Sequence, residues 1–402
     1  MLILNQYKKI IGEEKINEII REAKPLRGKY VAHINSTFYG GGVAEIIESL
    51  VILMNDIGIN AGWRQLKGSA SFFEITKLFH NGSQGADVKL NKKIKKIYEE
   101  INRKNSLFMH IEKNDAVIIH DPQVLPLIKF YKKQQPWIWR CHIDITEPDK
   151  ILWSYLKSFI NLYDIMIISD AGYRKKNIKI PQEVIMPSIN PLNDKNKKLS
   201  SAQIKSILEK AGIKPNKPII SQISRYDYWK DPLGVIDVFK AVKKKIDCQL
   251  VLLGNFATDD PEGGKVYREV ARKAKNLKDA YVLLNVKDND LAVNALQSAS
   301  AVVLQKSIRE GFAITVSEAL WKGTPVIGGN VGGIPNQIID GKSGYLINSV
   351  QECADRTVEL LKNERLRKRM GKFGHEYVKN NFLVTRHLLD YIRLLKRVMK
   401  IK

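Results

Sequence analysis

Between Gln305 and Glu318 the chain reads QKSIREGFAITVSE. Two glutamates, Glu310 and Glu318, stand eight residues apart around a Gly-Phe-Ala turn, after the apolar run AVVL (301–304) and before the helix-like EALWKG (318–323). A carboxylate at a strand end and a second on the following helix, with that helix's first amides between them, suit a ligand that is sugar at one end and phosphate in the middle. Sugar hydroxyls seek carboxylate acceptors, and phosphate oxygens seek the N–H groups of a helix start. The same spacing also describes a strand–turn–helix with two solvated glutamates, and spacing alone does not choose between them.

Other candidates stand at apparent strand ends. Gly40, Gly41 and Gly42 follow the first strand-like run and open a long helix, where a backbone without Cβ atoms can approach a phosphate or simply turn tightly. Neither the GxGxxG fingerprint nor a Walker A sequence is present, since Glu45 occupies the third-glycine position. In PWIWRCHID (136–144) strand alternation puts Arg140, His142 and Asp144 on one side and Cys141 on the other, so Cys141 and His142 cannot act as nucleophile and base. His142 is a candidate donor to a substrate hydroxyl or phosphate, or a structural histidine. In SRYDYWKDP (224–232), Arg225 and Lys230 have the charge to neutralise a diphosphate, or are two surface cations. The triplet Asp288-Asn289-Asp290 is read as a helix N-cap rather than a metal site.

The elements that must position these residues alternate along the chain. An amphipathic helix (about 5–24) precedes a buried strand GKYVAHINS (28–36) and a helix VAEIIESLVILMNDIG (43–58). Strand-like runs return at 115–120, 136–144 and 163–169. A Pro-, Asn-, Ser- and Lys-rich stretch (184–201) reads as a linker. Beyond it, strands are expected at 218–224, 249–255, 280–286, 301–307, 324–329 and 344–348, separated by helices. This alternation predicts an α/β protein with two Rossmann-like domains facing across a cleft, each ligand site lying beyond the carboxyl ends of parallel strands.

The chain of 402 residues has 44% hydrophobic and 27% charged residues, values of a globular protein with room for more than one core. The net charge of +24 is spread as lysines over many helix faces, without a nucleic-acid-binding signature. It reads as a solvated surface that would also attract an anionic substrate or acidic lipid. Cys141, Cys248 and Cys353 lie far apart, which indicates neither a disulfide framework nor a zinc knuckle. No apolar run reaches the ~20 residues of a membrane helix, and the start MLILNQYKK is too short for a signal peptide. A cytoplasmic location is the expectation.

Taken together, HINSTFYGGGVAEI (33–46), FFEITKLFHNGSQG (72–85), VIIHDPQ (117–123), PWIWRCHIDI (136–145), VIMPSINPL (184–192), SRYDYWKDP, DDPEG (259–263), VNALQSAS (293–300) and LQKSIREGF (304–312) resemble the retaining GT-B glycosyltransferases of family 4. More closely they resemble the trehalose glycosyltransferring synthases. The resemblance implies an acceptor-side domain over 1–190, a nucleotide-sugar domain over 191–384 and a C-terminal helix (385–402) packing back on the first. It implies reversible transfer of glucose from ADP-, UDP- or GDP-glucose to free glucose, forming α,α-trehalose, with no permanently bound cofactor and no essential metal. A lipid or polysaccharide acceptor at a membrane surface is the alternative; a glycosidase using paired carboxylates and a silent binding protein are more distant ones. By position, Glu310 with the amides of Gly311, Phe312 and Ala313 would hold the donor glucose and Glu318 the ribose. Arg225 and Lys230 would carry the diphosphate with Gly41 and Gly42; His142 and Asp144 would line the sugar subsite; and the loop near Val286 would receive the base. The segments around His80, Asp121 and His142, together with LQKSIREGF, are more particular to the trehalose-forming branch, whereas the paired glutamates and the GGG triplet mark only the superfamily. Ala313 departs from the pattern, which has glycine there, so a methyl is expected to crowd the donor or shift its sugar. Expected partners are nucleotide-sugar, glucose or trehalose, with no nucleic acid, and a homodimer is the assembly to look for.

Overall fold

The computed structural model describes residues 2–38, 41–214, 216–255 and 262–401. Gly40 and the Asp259–Pro261 part of DDPEG lie outside the described residues. The chain forms two compact units. One runs to Ser188 and includes the C-terminal stretch from Val384; the other runs from Ile189 to Leu383.

The first unit is built on six parallel strands: β1 (Tyr30–Asn35), β2 (Asn60–Gln65), β3 (Ala116–His120), β4 (Trp137–Arg140), β5 (Ile165–Ile168) and β6 (Gln182–Val184), in the order β2-β1-β3-β4-β5-β6. Every residue of β3, β4 and β5 is buried, as expected for parallel strands covered on both faces. The edge strands are different. β2 (NAGWRQ) is only partly buried and β6 has three residues, so neither carries an apolar run that sequence reading detects. The expected N-terminal helix is broken at Gly12, whose φ of 84° ends one short helix before Glu13–Ala23 begins. Alternation in the fourth strand persists past its last ladder residue: Trp137, Trp139, Cys141 and Ile143 all enter one core cluster, leaving Arg140 and His142 to the other side.

The C-terminal helix Val384–Val398 belongs to this first unit. Leu388, Ile392 and Leu395 are fully buried, and Arg393 and Lys396 reach Glu18 and Glu22 of the N-terminal helix at 2.7 and 3.0 Å.

The second unit has strands β7 (Ile219–Ile223), β8 (Gln249–Gly254), β9 (Ala280–Leu284), β10 (Ser300–Gln305), β11 (Val326–Gly329) and β12 (Gly344–Ile347), again all parallel, ordered β12-β11-β10-β7-β8-β9. This is the dinucleotide-fold order, and the direction of travel reverses between β7 and β10. Helix Ile314–Trp321 follows β10 and packs on helix Glu364–Asn381 so closely that a Cβ on Gly371 would lie 1.9 Å from the carbonyl oxygen of Gly323. Trp321 and His375 stack at 4.4 Å in the same contact.

That contact fixes the helix carrying Glu318. Gly371→Ala is therefore expected to cost about 3 kcal/mol and lower the melting temperature by roughly 6 °C or more. Gly264→Ala, where the nearest atom is 3.5 Å away at the end of a flexible arginine, should change stability by less than about 1 kcal/mol. Equal melting temperatures for the two variants would contradict this packing.

Candidate functional site

The reversal between β7 and β10 brings two loops together. The β7 loop carries Arg225, half-buried, and Lys230, whose carbonyl accepts from Gln222 Nε2 at 2.7 Å. The β10 loop carries Lys306, Ser307 and Glu310. Ile308 N donates to the Trp229 carbonyl at 2.8 Å, Lys306 pairs with Asp231, and Lys230 Nζ pairs with Glu310. Glu310 is buried and also accepts from Ser307 Oγ at 3.2 Å. A desolvated carboxylate is tolerated when it is paired and hydrogen-bonded in this way.

The turn after Glu310 is held from behind. Gln337 donates to the Phe312 carbonyl, and its Oε1 accepts from Ser317 N at 3.1 Å and Ser317 Oγ at 2.6 Å. Phe312 is buried against Phe382 at 5.6 Å. Ala313 has φ 68° and ψ 75°, left-handed backbone that favours glycine. The departure noted in the sequence is thus a matter of backbone strain as well as of a methyl's size.

Glu318, on the helix, is buried rather than solvated. Its Oε2 accepts from Gln297 Nε2 at 3.3 Å, while Oε1 has no hydrogen-bond donor among the described residues and lies 3.9 Å from Lys195 Nζ. A buried carboxylate oxygen without a donor suits hydroxyls brought by a ligand. Val286 lies half-buried in the loop after β9. Asp288 occupies the N-cap position of helix Asn289–Ala299, yet its side chain makes no capping bond, so only the placement agrees with the cap reading. Among the described residues no group of three or more acidic, histidine or cysteine side chains could hold a metal.

In the first unit, His142 is not a lone histidine. His33 Nδ1 meets His120 Nε2 at 3.1 Å and His120 Nδ1 meets His142 Nε2 at 3.0 Å, in a stacked row running from β1 through the end of β3 to the residues after β4. Asp121, with φ 62°, accepts from His142 N at 2.7 Å. Asp144 turns its Oδ1 to Thr146 N and Oγ1 at 2.8 and 2.6 Å. His80 is half-buried on helix Ala70–Ser83. Gly41 precedes helix Gly42–Asp56 with φ 98° and ψ 160°, a conformation only glycine takes without strain. Gly42 is the first residue of that helix. Sequence reading assigned no role to His33, His120 or Gln337; adjacent strands ending in HIN and IIHD were the available signal for the histidines, and nothing local marks Gln337.

Residues 33–175 match the family described as trehalose synthase, N-terminal domain, and residues 203–377 match glycosyl transferases group 1. The trehalose synthase of Thermococcus litoralis is 46% identical over 396 residues, covering 98% of this chain and 96% of the relative. The chain belongs to the trehalose synthase family. The family member from Rubrobacter xylanophilus is 41% identical over 404 residues, covering 98% and 97%. Solved structures show the fold: one described as trehalose-6-phosphate from E. coli bound with UDP-2-fluoro glucose has TM-score 0.74 at 14% identity, over 92% of this chain and 99% of that one. A sucrose-phosphate synthase from Thermosynechococcus elongatus has TM-score 0.73 at 15% identity, over 93% and 100%. This trehalose synthase homologue is accordingly an α/β glycosyltransferase of GT-B fold. Among its described residues no helix is long and apolar enough to cross a membrane.

Burial holds His33, His120, His142 and His387 neutral. Desolvation lowers His33 to about 4 and pushes His120, His142 and His387 well below the usual histidine range, with buried Arg140 adding to the last three. Below pH ~6.5 the unfolded chain takes up protons that these folded side chains refuse. Stability is therefore complete above that pH and falls as pH drops, by up to about 1.4 kcal/mol per pH unit for each histidine. Calorimetry should show a falling melting temperature from pH 6.5 to 5, before most carboxylates titrate. A flat profile across that window would contradict the buried neutral row.

Proposed function

We propose that this protein transfers glucose from a nucleoside diphosphate glucose to free glucose, giving α,α-trehalose and the nucleoside diphosphate with retained anomeric configuration. The observation that carries the reading is the pairing of buried Glu310 with Lys230 at the switch point of the second unit, beside Arg225 and a left-handed turn into helix Ile314–Trp321. Kinship with trehalose synthases over almost the whole chain supports trehalose as the product.

In this reading the donor's determinants lie in the second unit. Glu310 and the turn amides of Gly311, Phe312 and Ala313 receive glucose hydroxyls, Glu318 receives the ribose, and the Val286 loop the base. Arg225 and Lys230 meet the diphosphate, whose negative charge grows as the glucosyl C1–O bond breaks. The acceptor's determinants, His142 with Asp121, Asp144 and His80, lie in the first unit. The acceptor hydroxyl attacks C1 from the face the diphosphate leaves, and its proton passes to the departing phosphate oxygen. No protein base is required. Lys230 is already held by Glu310, so donor binding makes it share its charge between carboxylate and phosphate, which ties sugar recognition to leaving-group stabilisation.

The test is incubation with ADP-, UDP- or GDP-glucose, with and without glucose, and product identification by NMR. Trehalose should form only when donor and glucose are both present; no disaccharide with any donor would refute the reading. Glu310→Ala should reduce turnover at least ~100-fold, of the order seen when a charge-stabilising contact at the reacting centre is lost. Glu318→Ala should chiefly raise KM for the donor, because it removes binding remote from the chemistry. Near-normal turnover in Glu310→Ala would refute its assignment.

A further inference from the structure

The histidine row has two unlike ends. His33 and His120 are fully buried, whereas His142 is half-buried, and its Nδ1 meets no hydrogen-bond partner among the described residues. At the closed end the Tyr391 ring lies 6.1 Å from His33, and the His387 ring 5.1 Å from Tyr391, both delivered by the C-terminal helix. His387 Nδ1 contacts Ser188 Oγ at 2.8 Å. Arg140, the cross-strand partner of His120, is fully buried and gives one N–H to Ser169 Oγ at 3.0 Å. Its Nε and Nη1, the Tyr391 hydroxyl, and Nε2 of both His33 and His387 have no hydrogen-bond partner among the described residues.

Proton counting gives this cluster a direction. A neutral imidazole has one N–H and one bare nitrogen, so each contact in the row needs a donor on one ring and an acceptor on the other. The two contacts must then point the same way, because His120 uses both its nitrogens. Arginine can only donate. Burial keeps the Tyr391 phenol protonated and therefore also a donor. A closed end supplied with arginine and phenol donors needs bare nitrogen, which places the His33 proton on Nδ1. His33 then donates to His120 Nε2, His120 Nδ1–H donates to His142 Nε2, and the remaining His142 proton sits on Nδ1, at the accessible end. The opposite polarity would add a third donor, His33 Nε2–H, to a buried region already short of acceptors.

Resting on the glucosyl-transfer reading above, we infer that His33 and His120 are positioning residues that lock His142 as an Nδ1–H donor toward a sugar oxygen and deny it the role of general base. The charged and titratable groups around the row are Arg140, His387, Tyr391, Asp121 and, on the C-terminal helix, Arg386 paired with half-buried Asp390 at 2.6 Å. None offers a buried carboxylate that would stabilise an imidazolium within it. The first unit thus presents a hydrogen bond with fixed sense, and the acceptor's proton leaves with the diphosphate. The row also gives the C-terminal helix a part in the chemistry, since it closes the end that sets the sense.

The experiment is 15N NMR of histidine-labelled protein, with the His142 signals assigned by their loss in His142→Asn. The wild type should show His142 protonated on Nδ1. In His120→Phe, which removes the donor to Nε2, the proton should move to Nε2 and kcat/KM for glucose should fall about tenfold, the loss of one hydrogen bond. His120→Asn, whose amide N–H can again donate to Nε2, should restore the Nδ1–H form and most of the activity. A wild-type His142 carrying its proton on Nε2 would overturn the inference whether or not any variant folds. So would wild-type kinetics in His120→Phe. The tautomer is read without substrate, so failure of the glucosyl-transfer reading would appear separately, as absent trehalose with the predicted His142 signals intact.

Discussion

Glu310, hydrogen-bonded by Ser307 at 3.2 Å, is buried where Lys230 comes to meet it. The two side chains arrive from strands β7 and β10, neighbours at the one place where the second sheet reverses its direction of travel. Everything nearby serves to hold that meeting. Trp229 and Ile308 join the loops through their backbones, Asp231 and Lys306 pin them through side chains, and Gln337 fixes the turn between the glutamate and its helix. A buried ion pair of this kind adds little net stability. On the proposed reading, the pair matters for what its charges do when a diphosphate and a sugar meet them.

The first unit is built differently at its strand ends. Its strand ends carry neutral imidazoles instead of charges, and neutrality is enforced by burial beside an arginine. The second unit carries a paired charge at its strand ends, and the first carries a neutral hydrogen-bonding row. The turn after Glu310 is strained in this chain, because Ala313 takes left-handed backbone that favours glycine.

Much of this was legible in the sequence because parallel sheets write themselves as apolar runs. All six strands of the second unit were marked by such runs, and Glu310, Arg225 and Lys230 stood just beyond them. What escaped did so for physical reasons. Strands β2 and β6 lie at sheet edges, where half-burial tolerates Asn, Gln and Glu. Gln337 acts through a contact twenty or more residues distant in sequence, which no local pattern encodes. His33 and His120 were visible as residues but not as a row, since their association depends on which strands become neighbours. Asp288 shows the reverse error: the residue type and position of a cap are present without the capping bond.

The most direct test of the account is hydrogen–deuterium exchange with and without a nucleoside diphosphate glucose. Peptides spanning 224–231 and 307–318 should gain protection together, since the proposed reading has Lys230, Glu310 and the amides that follow hold the ligand. Loss of the effect at both segments in Lys230→Met would confirm that they act as one site. Donor-induced protection elsewhere in the second unit, with these two segments unchanged, would contradict the account.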